Sequence, residues 1–285
     1  MTGSGRPGSG IPADIRTDVA HPARVYDYWL GGKDNFDADR AAAQQVLRVM
    51  PEILDTVRGN RRFMVRAVGF LRDTGIRQFL DIGSGLPSSP NVHEIAQEVD
   101  GEIRVVYVDN DPVVLTHGHA MLATNTHTTV VQADIRRPED IISNPVVREF
   151  IDFSQPVGLL LLAILHHLND QEDPAGIAAR LRGELPHGSY VAISHFLNPG
   201  QEHPEEAERA ARAEKLFNEN LGTGRWRTRE EILAFFGDLD LLEPGLVPLP
   251  LWRPPGQPDG IPLLGQGAEL DPIHYSFVGG LARKA

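Results

Sequence analysis

Cysteine is absent from all 285 positions. Disulfide bridges and thiolate metal sites are therefore excluded, which suits a reducing cytoplasm. Long apolar runs are lacking too. The longest, residues 157–165, falls well short of the roughly 20 residues that a membrane-spanning helix needs. Residues 1–9 are rich in Gly, Ser and Pro and contain no apolar stretch of the signal-peptide kind, so residues 1–14 are expected to form a disordered tail. Basic charge is also scarce: 27 Lys and Arg face 39 Asp and Glu, for a formal net charge of -12. That balance argues against non-specific binding to nucleic acid or to an anionic membrane. No His-Glu-x-x-His pair occurs, and His117 and His119 sit two apart on a predicted helix, so no metal site is expected. The glycine loop described below lacks the Gly-Lys-Ser/Thr ending of a phosphate loop, and its serine is not in a Gly-x-Ser-x-Gly elbow. A soluble, cytoplasmic protein with an ordinary 41% hydrophobic content is expected from these absences, and a monomer or homodimer is expected as well.

What is present is organised around residues 79–90, Phe-Leu-Asp-Ile-Gly-Ser-Gly-Leu-Pro-Ser-Ser-Pro. Phe79 to Ile82 reads as a short buried strand, and Gly83 and Gly85 let the backbone turn sharply where a Cβ would obstruct a ligand. Ser89 is placed to cap a helix that Pro90 begins. A second predicted strand, Ile103 to Val108, ends in Asp109-Asn110-Asp111. An acid at that point of a β-α-β unit accepts hydrogen bonds from ribose hydroxyls, so the ligand reads as a nucleoside. The third glycine of the dinucleotide fingerprint is missing, because position 88 is serine.

Strand and helix then alternate as a parallel sheet covered on both faces requires. Thr128 to Ala133 forms the third strand and ends at Asp134-Ile135; the apolar run 157–165 forms the fourth and leads into His166-His167; Tyr190 to Ser194 forms the fifth. Upstream, the block from His21 to Phe36 crowds Tyr26, Tyr28, Trp29 and a Gly31-Gly32 pair together. It reads either as a short helix packed on the core and followed by a turn, or as a lid with a glycine hinge and Tyr28 or Lys33 facing the ligand. A helical stripe of Phe63, Met64, Ala67, Val68 and Leu71 is core, with Arg61, Arg62, Arg66 and Arg72 expected on a solvated face. Pro204 to Phe217 reads as an exposed charged helix with Glu205/Arg209 and Glu208/Arg212 pairs, Thr228 opens a capping box, residues 254–267 form a loop, and residues 274–281 a last strand. One domain is expected over 15–285, with a helical extension or lid (15–75), a cofactor core (76–195) and a substrate side (196–285).

This order resembles class I S-adenosylmethionine-dependent methyltransferases. It is similar in particular to a bacterial subfamily carrying His-Pro-Ala-Arg-Val-Tyr-Asp-Tyr, Gly-Gly-Lys-Asp-Asn-Phe, Asp-Ile-Gly-Ser-Gly-Leu-Pro and Val-Asp-Asn-Asp-Pro blocks. The resemblance implies a doubly wound, mostly parallel seven-stranded α/β sheet of Rossmann-like type, its last strand antiparallel. It also implies S-adenosylmethionine as cofactor. Gly83, Ser84 and Gly85 would approach the amino-acid end, Asp109 the ribose, Asn110, Asp134 and Ile135 the adenine, and Ala163 the methionine moiety. The third glycine of the family's loop is replaced by Pro87.

Methyl transfer needs a nucleophile in line with the sulfonium methyl, and a protein base only where the acceptor must lose a proton. His167 and His166 are the candidate bases, with Tyr26, Tyr28 and Lys33 as candidate substrate or lid residues; His195 is a further, weaker candidate. Methyltransferases acting on amino groups of DNA bases carry an Asn/Asp-Pro-Pro-aromatic block after strand four, and residues 163–168 read Ala-Ile-Leu-His-His-Leu instead. With the acidic charge, this favours a small-molecule or peptidic acceptor over nucleic acid. A cofactor-binding regulator without catalysis and a nicotinamide-dependent oxidoreductase are the alternatives.

Overall fold

The computed structural model describes residues 15–122, 125–253 and 275–285. The expected tail (1–14) and loop (254–267) lie outside the described residues. Three helices come first, α1 (Pro22–Trp29), α2 (Asp37–Val49) and α3 (Ile53–Asp73). Then follow β1 (Gln78–Ile82), α4 (Val92–Ala96), β2 (Arg104–Asp109), α5 (Pro112–Met121), β3 (Thr128–Gln132), α6 (Pro138–Ile142), α7 (Pro145–Phe150) and β4 (Gly158–Leu162). The chain ends with α8 (Pro174–Gly183), β5 (Tyr190–Phe196), α9 (Pro204–Leu221), α10 (Arg229–Ala234), β6 (Asp240–Leu241), β7 (Val247–Pro248) and β8 (Phe277–Arg283).

The strands form one sheet in the order β3-β2-β1-β4-β5-β8-β6, with β7 also on β8. β1 to β5 are parallel, and β8 runs antiparallel to β5 and to both short edge strands. Eight strands stand where seven were expected because the sixth position is split: Leu242 to Leu246 interrupt it with a turn in which Gly245 has φ +89° and donates its N–H to the Leu242 carbonyl. Side chains alternate by twos between two cores, as a sheet buried on both faces demands. Phe79 and Leu160 pack beneath α1–α4 and α9, while Leu80, Ile82, Leu159 and Leu161 pack against α6, α7, α8 and α10. None of the described helices is long and apolar enough to cross a membrane.

Four local expectations are corrected. The helix after the glycine loop starts at Val92, not Pro90, since Glu94 accepts the Asn91 N–H in capping-box fashion two residues beyond Ser89. β4 stops at Leu162, because Ala163 adopts φ +54° and residues 165–167 coil into a 3-10 turn. Arg61, Arg66 and Arg72 are not merely solvated: Arg61 donates to the Ser88 and Pro90 carbonyls, Arg66 to Leu249 and Trp252, and Arg72 to Ile95. On α9, Glu208 and Arg212 pair at 3.6 Å, but Arg209 reaches Glu52 on the neighbouring chain segment instead of Glu205, and Ala210, Ala213 and Phe217 are buried.

The aromatic block at the N-terminus folds around one carboxylate. Asp27 accepts hydrogen bonds at Oδ2 from the Asp34 N–H (3.0 Å) and the Asn35 side-chain amide (2.8 Å), while the Gly32 N–H bonds the Asp27 carbonyl at 2.9 Å. Gly31 has φ +84°, and a Cβ on Gly32 would lie 1.9 Å from Asp27 Oδ1. The two glycines thus form a fixed turn rather than a free hinge. Gly32→Ala is expected to cost about 1–3 kcal/mol through this clash, read as a lower melting temperature in thermal denaturation.

Candidate functional site

A cavity of about 300 Å³ opens at the carboxyl ends of the parallel strands, the edge where open α/β sheets bind ligands. Its floor is the glycine loop, Gly83 to Gly85, with Asp109 and Asn110 after β2, Ala133 to Arg136 after β3, and Leu162 to Ile164 after β4. Its roof is α1 with the residues just before it, from Ala20 to Leu30, and α3 lends Asn60, Arg61 and Met64. Leu221 and Thr223, beyond α9, close the remaining side.

The loop is built by its backbone. Gly83 and Ser84 donate to the Val108 carbonyl, and Gly85 donates at 2.8 Å to Asp109 Oδ2. The glycines differ in purpose. Gly83 has φ +75°, and a Cβ there would meet the Ile164 side chain at 2.6 Å; Gly85 has φ +67° with open space around it, so the backbone there is bare toward the cavity. The other Asp109 oxygen accepts the Asp111 N–H at 3.0 Å. Burial raises the Asp109 pKa, opposed by these two hydrogen bonds. Asn110 donates to Asp134 at 3.3 Å, and Asp134 also accepts the Arg136 N–H.

The roof is fastened by buried charge. Arg24, 3% exposed, places Nε 3.0 Å from Asp111 and Nη1 3.5 Å from Asp39, which in turn accepts the backbone N–H groups of His21 and Phe36. Tyr26 faces inward. Its hydroxyl donates to the Val57 carbonyl at 3.0 Å and accepts from Asn60, whose oxygen accepts from Ser194; the Ser194 oxygen accepts the Ala163 N–H. This chain of hydrogen bonds ties α1 and α3 to the end of β4.

Of the residues singled out in the sequence, Gly83, Ser84, Gly85, Asp109, Asn110, Asp134, Ile135, Ala163, Tyr26 and His167 all line the cavity. Tyr28 and Lys33 do not: Tyr28 accepts from Gln44 on the far side of α1, and Lys33 is exposed on the turn. His166 lies behind His167, 2% exposed and stacked on Phe196 with ring centroids 3.9 Å apart. His195 is sealed in the core; its Nδ1 donates to the Phe196 carbonyl and its Nε2 accepts from Arg227, and burial lowers its pKa to about 3. The turn carrying His166 and His167 is clamped by the connection after α9, through Arg225 N–H to the His166 carbonyl, Thr223 to the His167 carbonyl and Arg227 to Leu165 and Leu168.

Among the cavity residues not singled out in the sequence, Asp81 and Arg61 bear most on the chemistry. Asp81, the one acid in β1, has its pKa raised to about 7 by burial. Arg61 looked like part of a solvated stripe, and only the packing of α3 against the glycine loop brings it to the cavity. The lone acid in an apolar strand was the signal available for Asp81. Among the described residues no group of three or more His, Asp or Glu is arranged to hold a metal ion.

Residues 9–285 match the model of a family described as S-adenosyl methyltransferase. A crystal structure of a putative methyltransferase from Thermobifida fusca YX is 41% identical, with 96% of this chain and 98% of that chain covered and a TM-score of 0.86. A DUF574 family protein from Streptomyces avermitilis MA-4680 is 40% identical over 94% of this chain and 99% of that one, with a TM-score of 0.84. No curated protein matches. With the family model spanning nearly the whole sequence, the chain belongs to the S-adenosyl methyltransferase family, and S-adenosylmethionine is its cofactor.

Proposed function

We propose that the chain methylates a small-molecule acceptor, which enters between α1, α3 and the connection after α9. The observation that carries this reading is the roofed cavity itself: about 300 Å³ lies at the low end of small-molecule pockets, and α1 closes over it. The residues present suit the cofactor. Asp109 spends one lone pair of each oxygen on a backbone N–H and keeps others for ribose hydroxyls. Asn110, Asp134 and Ile135 flank the adenine position, and the bare backbone at Gly85 admits close approach. Asp81, buried with no hydrogen-bond partner among the described residues, answers the ammonium of the amino-acid end.

The chemistry supplied by bound S-adenosylmethionine is a methyl group already activated by sulfonium charge. The protein's share is orientation and exclusion of water. His167 has its Nδ1 sealed without a partner, and burial, aided by His21 and Arg136, lowers its pKa to about 3. So weak a base is far from the near-neutral value that general-base catalysis favours. In this reading His167 stays neutral and positions the acceptor, while Tyr26, Asn60, Met64, Leu221 and Thr223 shape its berth.

Isothermal calorimetry tests the reading. S-adenosylhomocysteine is expected to bind and NAD not to; NAD binding without S-adenosylhomocysteine binding would overturn it. Once an acceptor is found, the turnover of the donor-saturated enzyme should follow the acceptor's own ionisation. A lower-pH limb that disappears in His167→Ala would restore the imidazole as base.

A further inference from the structure

Opposite charges line one end of the cavity without pairing to each other. Asp81 sits on β1 just before the glycine loop, and Arg61 reaches from α3 to the Ser88 carbonyl and lines the same cavity. No ion pair within 4.0 Å joins them, although Arg61 is close enough to draw the Asp81 pKa down against burial. Arg61 uses Nη2 to hold the Ser88 and Pro90 carbonyls. Its Nε and Nη1 have no partner among the described residues. A buried carboxylate without a hydrogen bond and a guanidinium with two free nitrogens, separated across a gap, are complementary to a zwitterion of the α-amino-acid kind. A lone cation would leave Arg61 unanswered, and a lone anion would meet Asp81. Guanidinium is also the side chain whose fork matches a carboxylate.

We propose that Arg61 is the carboxylate anchor for the amino-acid end of the donor, working opposite Asp81, so that donor recognition is shared between the N-terminal helical extension and the sheet. This rests on the donor-binding reading above and adds a residue on α3 to it. It also gives Arg61 a double duty, since the guanidinium that would take the ligand's carboxylate already braces the loop at Ser88 and Pro90.

The test uses the full chain and two ligands that differ only in the carboxylate, S-adenosylhomocysteine and S-adenosyl-3-thiopropylamine, with affinities from calorimetry. The wild-type protein is expected to prefer S-adenosylhomocysteine by about 10- to 100-fold, the span of a charge-assisted hydrogen bond. Arg61→Gln should lose that factor for S-adenosylhomocysteine and change less than about threefold for the decarboxylated ligand, with Arg61→Lys retaining part of the preference. Equal weakening of both ligands in Arg61→Gln would mean that Arg61 only braces the loop, and would overturn the proposal. If Arg61→Gln does not fold, the wild-type comparison still decides, because equal affinities for the two ligands overturn it. Failure of the wild-type protein to bind either ligand would instead remove the donor reading on which the anchor rests.

Discussion

Asp81→Asn is expected to melt at a higher temperature than the wild-type protein at pH 8, in the absence of ligand, and to bind S-adenosylhomocysteine about 10- to 100-fold more weakly. Asp81 is 7% exposed, and its carboxyl is pushed up to about 7, first by burial and then by the nearby Asp109 charge, with Arg61 opposing. An unfolded aspartate titrates near 3.9. Between those two values the folded state holds a proton that the unfolded state has released, so stability falls as pH rises through this window and stays low above it. Three units of difference correspond to a penalty of about 4 kcal/mol at pH 8, an order-of-magnitude figure. Asparagine cannot ionise and escapes it. The difference in stability between variant and wild type should therefore be small near pH 4, grow up to pH 7, and then level off. A difference that does not change with pH would rule out a buried, proton-holding Asp81.

Ligand binding runs in the other direction. An ammonium partner favours the ionised carboxylate, so below pH 7 the wild-type protein should release close to one proton per ligand bound, seen as a dependence of the calorimetric heat on buffer ionisation enthalpy. The variant should show none. If both results hold, stability is given up at Asp81 for the sake of the proposed site.

How much of this was legible in the sequence follows from the range of each interaction. The apolar run of β1, the glycine turn and the acid ending β2 are local patterns, and each maps onto the structure within a residue or two, whereas the apolar run 157–165 outlasts β4, which stops at Leu162. Thr228 capping α10 is equally local and equally legible. Arg66 is different. Its partners, the carbonyls of Leu249 and Trp252, are more than 180 positions away, and no spacing rule along α3 separates a guanidinium in water from one that ties the far edge of the sheet. The same holds for pairs of neighbours. Tyr26 and Tyr28 are two apart on a helix and so point to opposite sides, but which one faces the cavity depends on how α1 docks, through Arg24 and Asp111. His166 and His167 share one tight turn, where only the docking of the connection after α9 decides that His167 lines the cavity and His166 stacks on Phe196. Composition likewise could not reveal that Gly83 is required by Ile164, a packing contact, as much as by any ligand.

Asp109→Ala is expected to abolish measurable binding of S-adenosylhomocysteine, a loss of more than about 100-fold, and to lower the melting temperature as well. The stability cost arises because both carboxylate oxygens are already in use. Removing them strands the Gly85 and Asp111 N–H groups, which the carboxylate now meets at 2.8 and 3.0 Å. The buried Asp111 N–H, left unpaired, costs about 1–3 kcal/mol, and the half-buried Gly85 N–H, open to the cavity, costs less. The functional cost has two parts, loss of the ribose acceptor and loss of the tether that keeps Gly85 beside β2. Asp109→Asn separates them. Its amide has the same shape, and its oxygen still accepts one of the two N–H groups, but its NH₂ is a donor and cannot take a ribose hydroxyl proton. Comparing adenosine with 3′-deoxyadenosine completes the test: the wild-type protein should favour adenosine, and Asp109→Asn should bind the two alike. Wild-type discrimination that persists undiminished in Asp109→Asn would move ribose recognition to another residue and leave Asp109 as a brace for the glycine loop alone.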